Sequence, residues 1–264
     1  MKDIKKQIEQ DRRGFIKKVL GGTLAGSLLL VIPATAVEII EQIPGMRDEA
    51  GIFSKKQFAF VVDITACIGC GSCCLADKAE YNVPDGNYRT WVERYIIDDR
   101  DNVYVDSPNG GLEGYTQPRE GLPHPTRDTF FVPKLCNMCE KPSCVQVCPV
   151  GATYKTDDGF ILVDKTRCVG CSYCIQACPY SVRFINPTTR TAEKCTWCYH
   201  RVRRGLLPAC VEVCPVHARK FGDLADKESE VWKILHEPHV ISVLKPEMGN
   251  KPALHYVGLR REVV

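Results

Sequence analysis

The sequence predicts an α+β fold built from two related halves, and two observations lead to this prediction. The chain of 264 residues contains 16 cysteines, and all but Cys74 fall into four groups of similar spacing. The segments that flank these groups also repeat within the chain. Self-similarity of this kind is the signature of a repeated supersecondary unit. We therefore expect each half to consist of short strands, ligand loops and short helices.

Residues 1–36 predict an export signal. Residues 11–17 (DRRGFIK) resemble a twin-arginine signal, residues 19–37 form an uncharged and mildly apolar stretch, and residues 34–36 are an A-x-A cleavage candidate. The alternative is a retained membrane anchor, because about 20 apolar residues can span a bilayer. We expect residues 37–57 to form a linker. The signal predicts a periplasmic, extracytoplasmic location that the chain reaches already folded.

The net charge of the chain resides in this signal. Residues 1–18 contain seven Lys/Arg and three Asp/Glu, a net charge of +4, whereas the whole chain carries +3. The remainder is therefore nearly neutral. This excludes the strongly basic proteins that bind nucleic acid, and we expect no nucleic-acid partner.

The cysteine groups share the ligand spacing of iron–sulfur proteins. In chain order they are group one (Cys67, Cys70, Cys73), group two (Cys136, Cys139, Cys144, Cys148), group three (Cys168, Cys171, Cys174, Cys178) and group four (Cys195, Cys198, Cys210, Cys214). Group three is the C-x2-C-x2-C-x3-C-P run of ferredoxins, in which three cysteines bind one cluster and the fourth binds another. Groups two and four also end in C-x3-C-P.

Two other interpretations of the cysteines compete with this one. An even number of cysteines in an exported chain fits a disulfide framework, as in an extracellular binding protein. Paired C-x2-C fits structural zinc. Neither accounts for three C-x3-C-P endings at matching places. A c-type haem site is excluded because Cys198 is followed by Tyr199 and not by histidine.

The internal repeat assigns the groups to two halves. Residues 62–70 match 163–171, and residues 142–152 match 208–218, so groups one and two form one half and groups three and four the other. Each unit should have a strand, a ligand loop and a short helix that begins near the third cysteine. The predicted regular elements are a strand at 58–62, a hairpin of 153–156 with 160–163, a helix at 227–236 and an extended segment at 240–259.

With these motifs in place, residues 58–260 resemble the four-cluster, ferredoxin-type electron-transfer subunits of membrane oxidoreductases. The family includes the iron–sulfur subunits of dimethyl sulfoxide, polysulfide, tetrathionate and nitrite reductases. The resemblance implies tandem ferredoxin-like units, each of the double 4Fe–4S ferredoxin type. The cluster region would be 58–74 and 133–222, with an inserted loop-rich subdomain at 75–132 and a C-terminal helix and tail at 223–264.

The resemblance also implies that each cluster takes ligands from two groups. The four ligand sets carried over are set A (Cys67, Cys70, Cys73, Cys214), set B (Cys195, Cys198, Cys210, Asp77), set C (Cys136, Cys139, Cys144, Cys178) and set D (Cys168, Cys171, Cys174, Cys148). These sets agree with the rule that the fourth cysteine of a run binds the other cluster. Three or four of the clusters would be 4Fe–4S.

Asp77 occupies the position of the missing fourth cysteine in group one. Residues 77–80 (DKAE) keep the frame in which the family commonly has Cys-Lys-Ala-Glu, so the substitution is in register. Three interpretations stay open: Asp77 binds iron through a carboxylate oxygen, the corner is empty and the cluster is 3Fe–4S, or water binds and Asp77 only forms a hydrogen bond. We favour carboxylate ligation. A hard oxygen donor holds cluster iron less tightly than thiolate, so a labile corner is expected.

Two nearby features have less specific interpretations. Cys74 adjoins Cys73 and must point elsewhere, which predicts a packed free thiol. Residues 200–204 (HRVRR) form a basic loop, which we interpret as balancing anionic clusters. A patch that docks a partner is the alternative.

The resemblance implies electron transfer and no catalysis, because no dinucleotide, haem or nucleophile motif is present. The expected partner is a polytopic quinone-interacting membrane subunit. A chain with its own export signal favours the iron–sulfur subunit of the complex associated with dissimilatory sulfite reduction, which adds a multihaem cytochrome c and heterodisulfide-reductase-like subunits. The alternatives are nitrite, tetrathionate or polysulfide reductase systems, or a freestanding soluble ferredoxin.

Overall fold

The computed structural model describes residues 57–238 and 241–263. The predicted export signal and most of the predicted linker lie outside these residues. Within them, no helix is both long enough and apolar enough to cross a membrane.

The described residues form short helices and strands. The strands are β1 Phe58–Asp63, β2 Trp91–Asp98, β3 Val103–Asp106, β4 Thr126–Lys134, β5 Thr153–Lys155, β6 Ile161–Val163, β7 Arg183–Ile185, β8 Ala192–Lys194, β9 Arg219–Asp223, β10 Ile241–Ser242 and β11 Leu254–Val257. The α-helices are α1 Ser72–Tyr81, α2 Ser143–Gln146, α3 Tyr173–Gln176, α4 Tyr199–Val202, α5 Ala209–Glu212 and α6 Glu230–His236. Pro108–Gly111 and Pro246–Met248 form 3-10 turns. The fold is therefore mixed α and β, with little extended helix.

Strand β1 is the central element of a four-stranded sheet with the order β10-β11-β1-β9. It pairs in parallel with β11 and antiparallel with β9. Its apolar run is buried on both faces, as expected of a central strand. Phe60 and Val62 point into the main core, whereas Ala59 and Val61 pack against Val231 of α6.

The pairing of β1 with β9 places group one beside group four, since Val62 lies opposite Arg219. Helix α1 accordingly contacts α5. Groups two and three meet separately: α2 contacts α3, and Ser143 Oγ donates to the Ala177 carbonyl at 2.7 Å. The two halves inferred from the sequence repeat, groups one with two and three with four, are therefore not the pairs formed in space. Spatial pairs are nested, one with four and two with three.

The short helices begin at the third cysteine, as predicted. Each starts one residue before it, at Ser72, Ser143, Tyr173 and Ala209. In groups two to four the helix has four residues, because the proline after the fourth cysteine disfavours helical backbone at the residue before it. In group one Lys78 follows Asp77 in place of proline, and α1 continues for ten residues.

The inserted subdomain combines long connecting segments with a sheet that was not predicted. Residues 91–134 contain a three-stranded antiparallel sheet of order β3-β2-β4. The strands were not predicted because they contain charged residues, which are typical of loops. In the structure these residues form cross-strand pairs. Arg94 lies opposite Asp106 and donates to its carboxylate at 2.7 Å, which satisfies a largely buried guanidinium.

The other predicted elements are present with small differences. The predicted hairpin is the pair β5 and β6, and the predicted C-terminal helix is α6, which begins after Ser229. The Ser229 hydroxyl caps it by accepting a hydrogen bond from Trp232 N at 3.1 Å. The hairpin of β7 and β8 was not predicted.

Trp197 connects group four to group two within the core. Its ring is fully buried among Phe60, Phe160 and Phe221. The indole Nε1 donates to the Cys136 carbonyl at 2.8 Å. A large aromatic side chain with a satisfied polar atom thus helps to join the two nested pairs.

Gly71 provides a test of how the insert is held against the ligand loop of group one. Gly71 and Gly86 both have a positive φ, of 77° and 71°. A Cβ at Gly71 would overlap the carbonyl oxygens of Gly111 and Leu112, whereas a Cβ at Gly86 would meet nothing within 4 Å. We expect Gly86→Ala to lower the free energy of unfolding by only about 1–2 kcal/mol, the cost of placing a residue with a Cβ in the left-handed conformation. Gly71→Ala should lower the thermal unfolding midpoint clearly further, and equal shifts would contradict this packing.

Candidate metal centres

All sixteen cysteines are free thiols, from Cys67 to Cys214. This arrangement does not fit the disulfide framework considered above. The contacts of α1 with α5 and of α2 with α3 bring thiols of different groups near one another.

Set A surrounds one cavity. Cys67, Cys70 and Cys73 of group one line it together with Cys214 of group four, and Arg219 also borders it. Burial, with smaller contributions from the nearby thiols of Cys73 and Cys214, raises the pKa of Cys67 to about 11. The structure therefore places the group-four cysteine among the group-one cysteines, as the carried-over ligand set requires.

Set C surrounds a second cavity in the same way. Cys136, Cys139 and Cys144 of group two line it with Cys178 of group three. The open space at sets A and C is nearly equal, about 330 and 310 Å³ when the adjoining solvent is included. Burial raises the pKa of Cys139 to about 12, and the neighbouring thiols of the set add to this shift. Similar size and similar lining indicate that the two cavities suit the same kind of group.

Set B brings three buried thiols of group four together with Asp77 of group one. Asp77 is buried on α1 and interacts electrostatically with Cys195, Cys198 and Cys210. Burial raises the pKa of Cys210 to about 12, although Arg219 opposes that shift. Asp77 thus lies where the carried-over ligand set has its fourth ligand.

Set D is approached by backbone donors. Cys148 Sγ accepts hydrogen bonds from Ala152 N at 3.2 Å and Thr153 N at 3.5 Å, and Cys168 Sγ accepts one from Ala192 N at 3.3 Å. Burial opposes ionisation of Cys148, but the backbone N–H groups outweigh it and lower its pKa. The contact of α2 with α3 brings the segments that carry Cys148 and Cys174 together.

The donor geometry fits a cluster better than a single ion. Among residues 57–238 and 241–263, no group of three or more His, Cys, Asp or Glu side chains is arranged to hold one metal ion. The thiols of sets A and C instead surround a cavity from several sides, as the thiolate ligands of a multi-atom iron–sulfur cluster do. Tetrahedral zinc would require ligand sulfurs about 2.3 Å from a common centre.

Asp77 lies in a mixed electrostatic environment. Burial raises the pKa of its carboxyl, and Arg89 and Arg219 act against that shift. The Arg89 contact, Nε to Oδ2 at 3.9 Å, is an ion pair too long for a hydrogen bond. We infer that the surrounding protein alone compensates the buried carboxylate poorly.

Arg89 is one of four buried cations that sequence reasoning missed. Its guanidinium lies 3.3 Å from the centre of the Tyr81 ring and 3.6 Å from Glu193 Oε1. The four buried cations near the thiols are Arg89, Arg183, Lys194 and Arg219. Only Arg183 and Arg219 had a signal in the sequence, since each lies five residues after the fourth cysteine of its group.

Lys194 lies between two of the sets. Its side chain is fully buried, and Nζ donates to the Cys195 carbonyl at 2.8 Å. It also interacts electrostatically with Cys136 and Cys144 of set C. Burial lowers its pKa, whereas these thiols act in the opposite direction. A cation is therefore positioned where set B approaches set C.

Cys74 packs beside the ligand loop without lining the cavity of set A. Its thiol is buried, 3.9 Å from Cys73 Sγ. The hydrogen bond shared by the two thiols lowers the pKa of Cys73 and raises that of Cys74, and burial adds to the second shift. The buried position of Cys74 outside the cavity lining agrees with a packed free thiol.

The basic loop at residues 200–204 is in part neutralised by carboxylates. His200 Nε2 lies 2.7 Å and Arg201 Nη1 3.4 Å from Glu80, and Arg201 also pairs with Glu212. Because these carboxylates neutralise part of the positive charge of the loop, less of it is left to balance anionic clusters. The buried cations interact electrostatically with the thiols.

Comparison with known proteins agrees with this geometry. A 4Fe–4S dicluster domain family matches residues 127–224. The sequence is 44% identical to the B subunit of tetrathionate reductase from Salmonella typhimurium over 206 residues, 78% of this protein and 74% of the relative. It is 45% identical to the B subunit of tetrathionate reductase from Archaeoglobus fulgidus over 223 residues, 84% of this protein and 92% of the relative.

A third relative carries a different name. The B component of polysulfide reductase from Wolinella succinogenes is 36% identical over 207 residues, 78% of this protein and 96% of the relative. The similarity thus covers most of each protein and extends well beyond the dicluster segment. The protein belongs to the family of iron–sulfur electron-transfer subunits that includes these components of tetrathionate and polysulfide reductases.

Proposed function

We propose that the chain holds four iron–sulfur clusters, one in each of sets A to D, and relays single electrons along them. The observation that carries this proposal is that thiols from two different groups line one cavity in set A and again in set C. When bound, each cluster would accept and release one electron. The protein is an electron-transfer subunit and not the catalytic one, so its residues supply spacing, burial and charge.

Exposure supports sets A and D as the two ends of the relay. The two exposed cysteines are Cys70 of set A and Cys171 of set D. Between the first two cysteines of their groups, Ile68 is 55% and Val169 65% exposed. The corresponding x2 pairs of groups two and four carry Met138 and Trp197, which are buried. Exposed apolar side chains beside a redox centre suit docking of another protein.

The N-terminal sequence supports a location for the protein, and its relatives, which are subunits of reductases, support a membrane partner. We propose export of the folded protein through the twin-arginine route and assembly with a quinone-interacting polytopic subunit at the periplasmic face of the membrane. The supporting observation is the DRRGFIK segment at residues 11–17 with the apolar stretch that follows it.

Two kinds of complex fit these features. The export signal favours the complex associated with dissimilatory sulfite reduction, with a multihaem cytochrome c and heterodisulfide-reductase-like subunits. The names of two relatives, both tetrathionate reductase subunits, favour a tetrathionate reductase complex. Purifying the native complex in mild detergent separates them. Co-purification of the multihaem cytochrome supports the first, and co-purification of a molybdopterin subunit overturns it.

Cys73 and Cys74 give a matched test of ligation in set A. We expect Cys73→Ser to lose the iron and acid-labile sulfide of one cluster, because its thiol lines the cavity. Cys74→Ser removes a buried thiol of equal size that does not line it, and should keep the full content. Iron and sulfide analysis of the full chain measures both. Equal losses would contradict the assignment of Cys73.

Asp77 gives a test of the fourth corner of set B. If its carboxylate binds iron, the oxidised wild-type chain has no strong three-iron EPR signal. Asp77→Ala should then produce one such signal per chain. Asp77→Cys should show no such signal, because a thiolate is a tighter fourth ligand. A strong three-iron signal in freshly prepared wild type, equal to one cluster per chain, would overturn carboxylate ligation.

Ile68 gives a test of the docking face beside set A. An arginine at this position would put a charge into an apolar contact, so Ile68→Arg should reduce the yield of one partner subunit in the purified complex at least several-fold. Val103→Arg is the control, since Val103 is also exposed, at 41%, but lies on β3 of the insert. Unchanged yields in both variants would rule out this face.

A further inference from the structure

Arg183 and Arg219 occupy equivalent positions in the two nested pairs. Each lies five residues after the fourth cysteine of its group, in the runs CPYSVR and CPVHAR that start at Cys178 and Cys214. Each is the first residue of a strand, β7 or β9. The repeated unit therefore places one arginine at the same point in each pair.

Arg219 lies between sets A and B. It is 2% exposed and borders the cavity of set A. Its charge interacts with the thiols of Cys73 and Cys67 of set A and of Cys210 of set B. Nη2 donates to Thr90 Oγ1 at 2.9 Å, whereas Nε and Nη1 have no hydrogen-bond partner among the described residues.

Arg183 lies in the same relation to sets C and D. Its Nη2 donates to Cys144 Sγ of set C at 3.0 Å, and Nη1 donates to Thr153 Oγ1 at 3.4 Å. Its charge also interacts with Cys136 of set C and with Cys174 of set D. Thr153 itself occupies the equivalent position in group two, five residues after Cys148.

A buried guanidinium needs compensation by negative charge. Arg89 has it, since it pairs with Asp77 and Glu193. In the described part of the chain, neither Arg183 nor Arg219 forms an ion pair with a carboxylate. The groups that interact most strongly with both arginines are thiols, and Arg219 also interacts with the Asp77 carboxyl without forming an ion pair with it. The two unpartnered N–H groups of Arg219 are donors without an acceptor. Cluster thiolates and sulfides would supply both the acceptors and the negative charge.

We propose that Arg183 and Arg219 set the reduction potentials of the clusters, each acting on the two clusters that flank it. Arg219 would act on sets A and B, and Arg183 on sets C and D. Reduction adds one electron, and hence one negative charge, to a cluster. A fixed cation nearby stabilises the reduced form more than the oxidised form and so raises the potential. This inference rests on the proposed four-cluster arrangement.

The test is an EPR-monitored redox titration of the full chain with its clusters. In Arg219→Gln we expect two of the four reduction potentials to fall by about 59 mV or more. This corresponds to a change of at least tenfold in the one-electron redox equilibrium constant. Arg183→Gln should lower the other two. Arg219→Lys keeps the charge and should stay close to wild type.

Several outcomes would overturn the inference. These are unshifted potentials in both glutamine variants, a uniform shift of all four signals, or an Arg219→Lys variant that shifts as far as Arg219→Gln. If Arg219→Gln fails to retain its clusters, Arg219→Lys and Arg183→Gln still decide the matter by the same criteria.

The wild-type sample separates this inference from the function on which it rests. Fewer than four clusters in each wild-type molecule, by iron and sulfide content, would overturn the four-cluster proposal itself. If the wild type has four clusters and neither glutamine variant shifts their potentials, only the proposed role of the arginines is overturned.

Discussion

The pairing of β1 with β9 is the constraint on which the rest of the structure depends. It joins the first strand of the described chain to the strand after the last cysteine group, with Val62 opposite Arg219. This contact brings Cys214 to group one and Asp77 to group four. Groups two and three then meet inside that frame through α2 and α3. Because these contacts are distant in sequence, closing them costs chain entropy, and cluster binding would contribute free energy that offsets this cost.

The interior of this protein is organised around charge as much as around apolar packing. Trp197 and its aromatic neighbours form a conventional core. Beside them lie buried cations, of which Arg219 and Lys194 are almost completely excluded from solvent. Isolated, such groups would be costly, so their retention next to thiols indicates that the native state includes anionic partners. The same field that stabilises bound clusters also biases their potentials, which couples the stability of the protein to its electron-transfer function.

The sequence predicted the local features well. The spacing of the cysteines indicated the ligand loops and the start of each short helix, and the strand-like run at residues 58–62 indicated the central strand. These features depend on residues that are close in the chain. The sheet of the insert was missed because Arg94 and Asp106 look like surface charges until their strands are paired. The nested order of groups was visible only through family resemblance. The role of Arg219 needed the burial and the unpartnered N–H groups that no local pattern reports.

The central claim is that each cluster site is assembled from two cysteine groups. Anomalous diffraction at the iron absorption edge, on crystals of the full chain with its clusters, locates the iron atoms directly. We expect four clusters of iron atoms. Cys214 should bind the same cluster as Cys67, Cys70 and Cys73. Cys178 should bind the same cluster as Cys136, Cys139 and Cys144. A structure in which each group binds its own cluster with its own fourth residue would contradict the account.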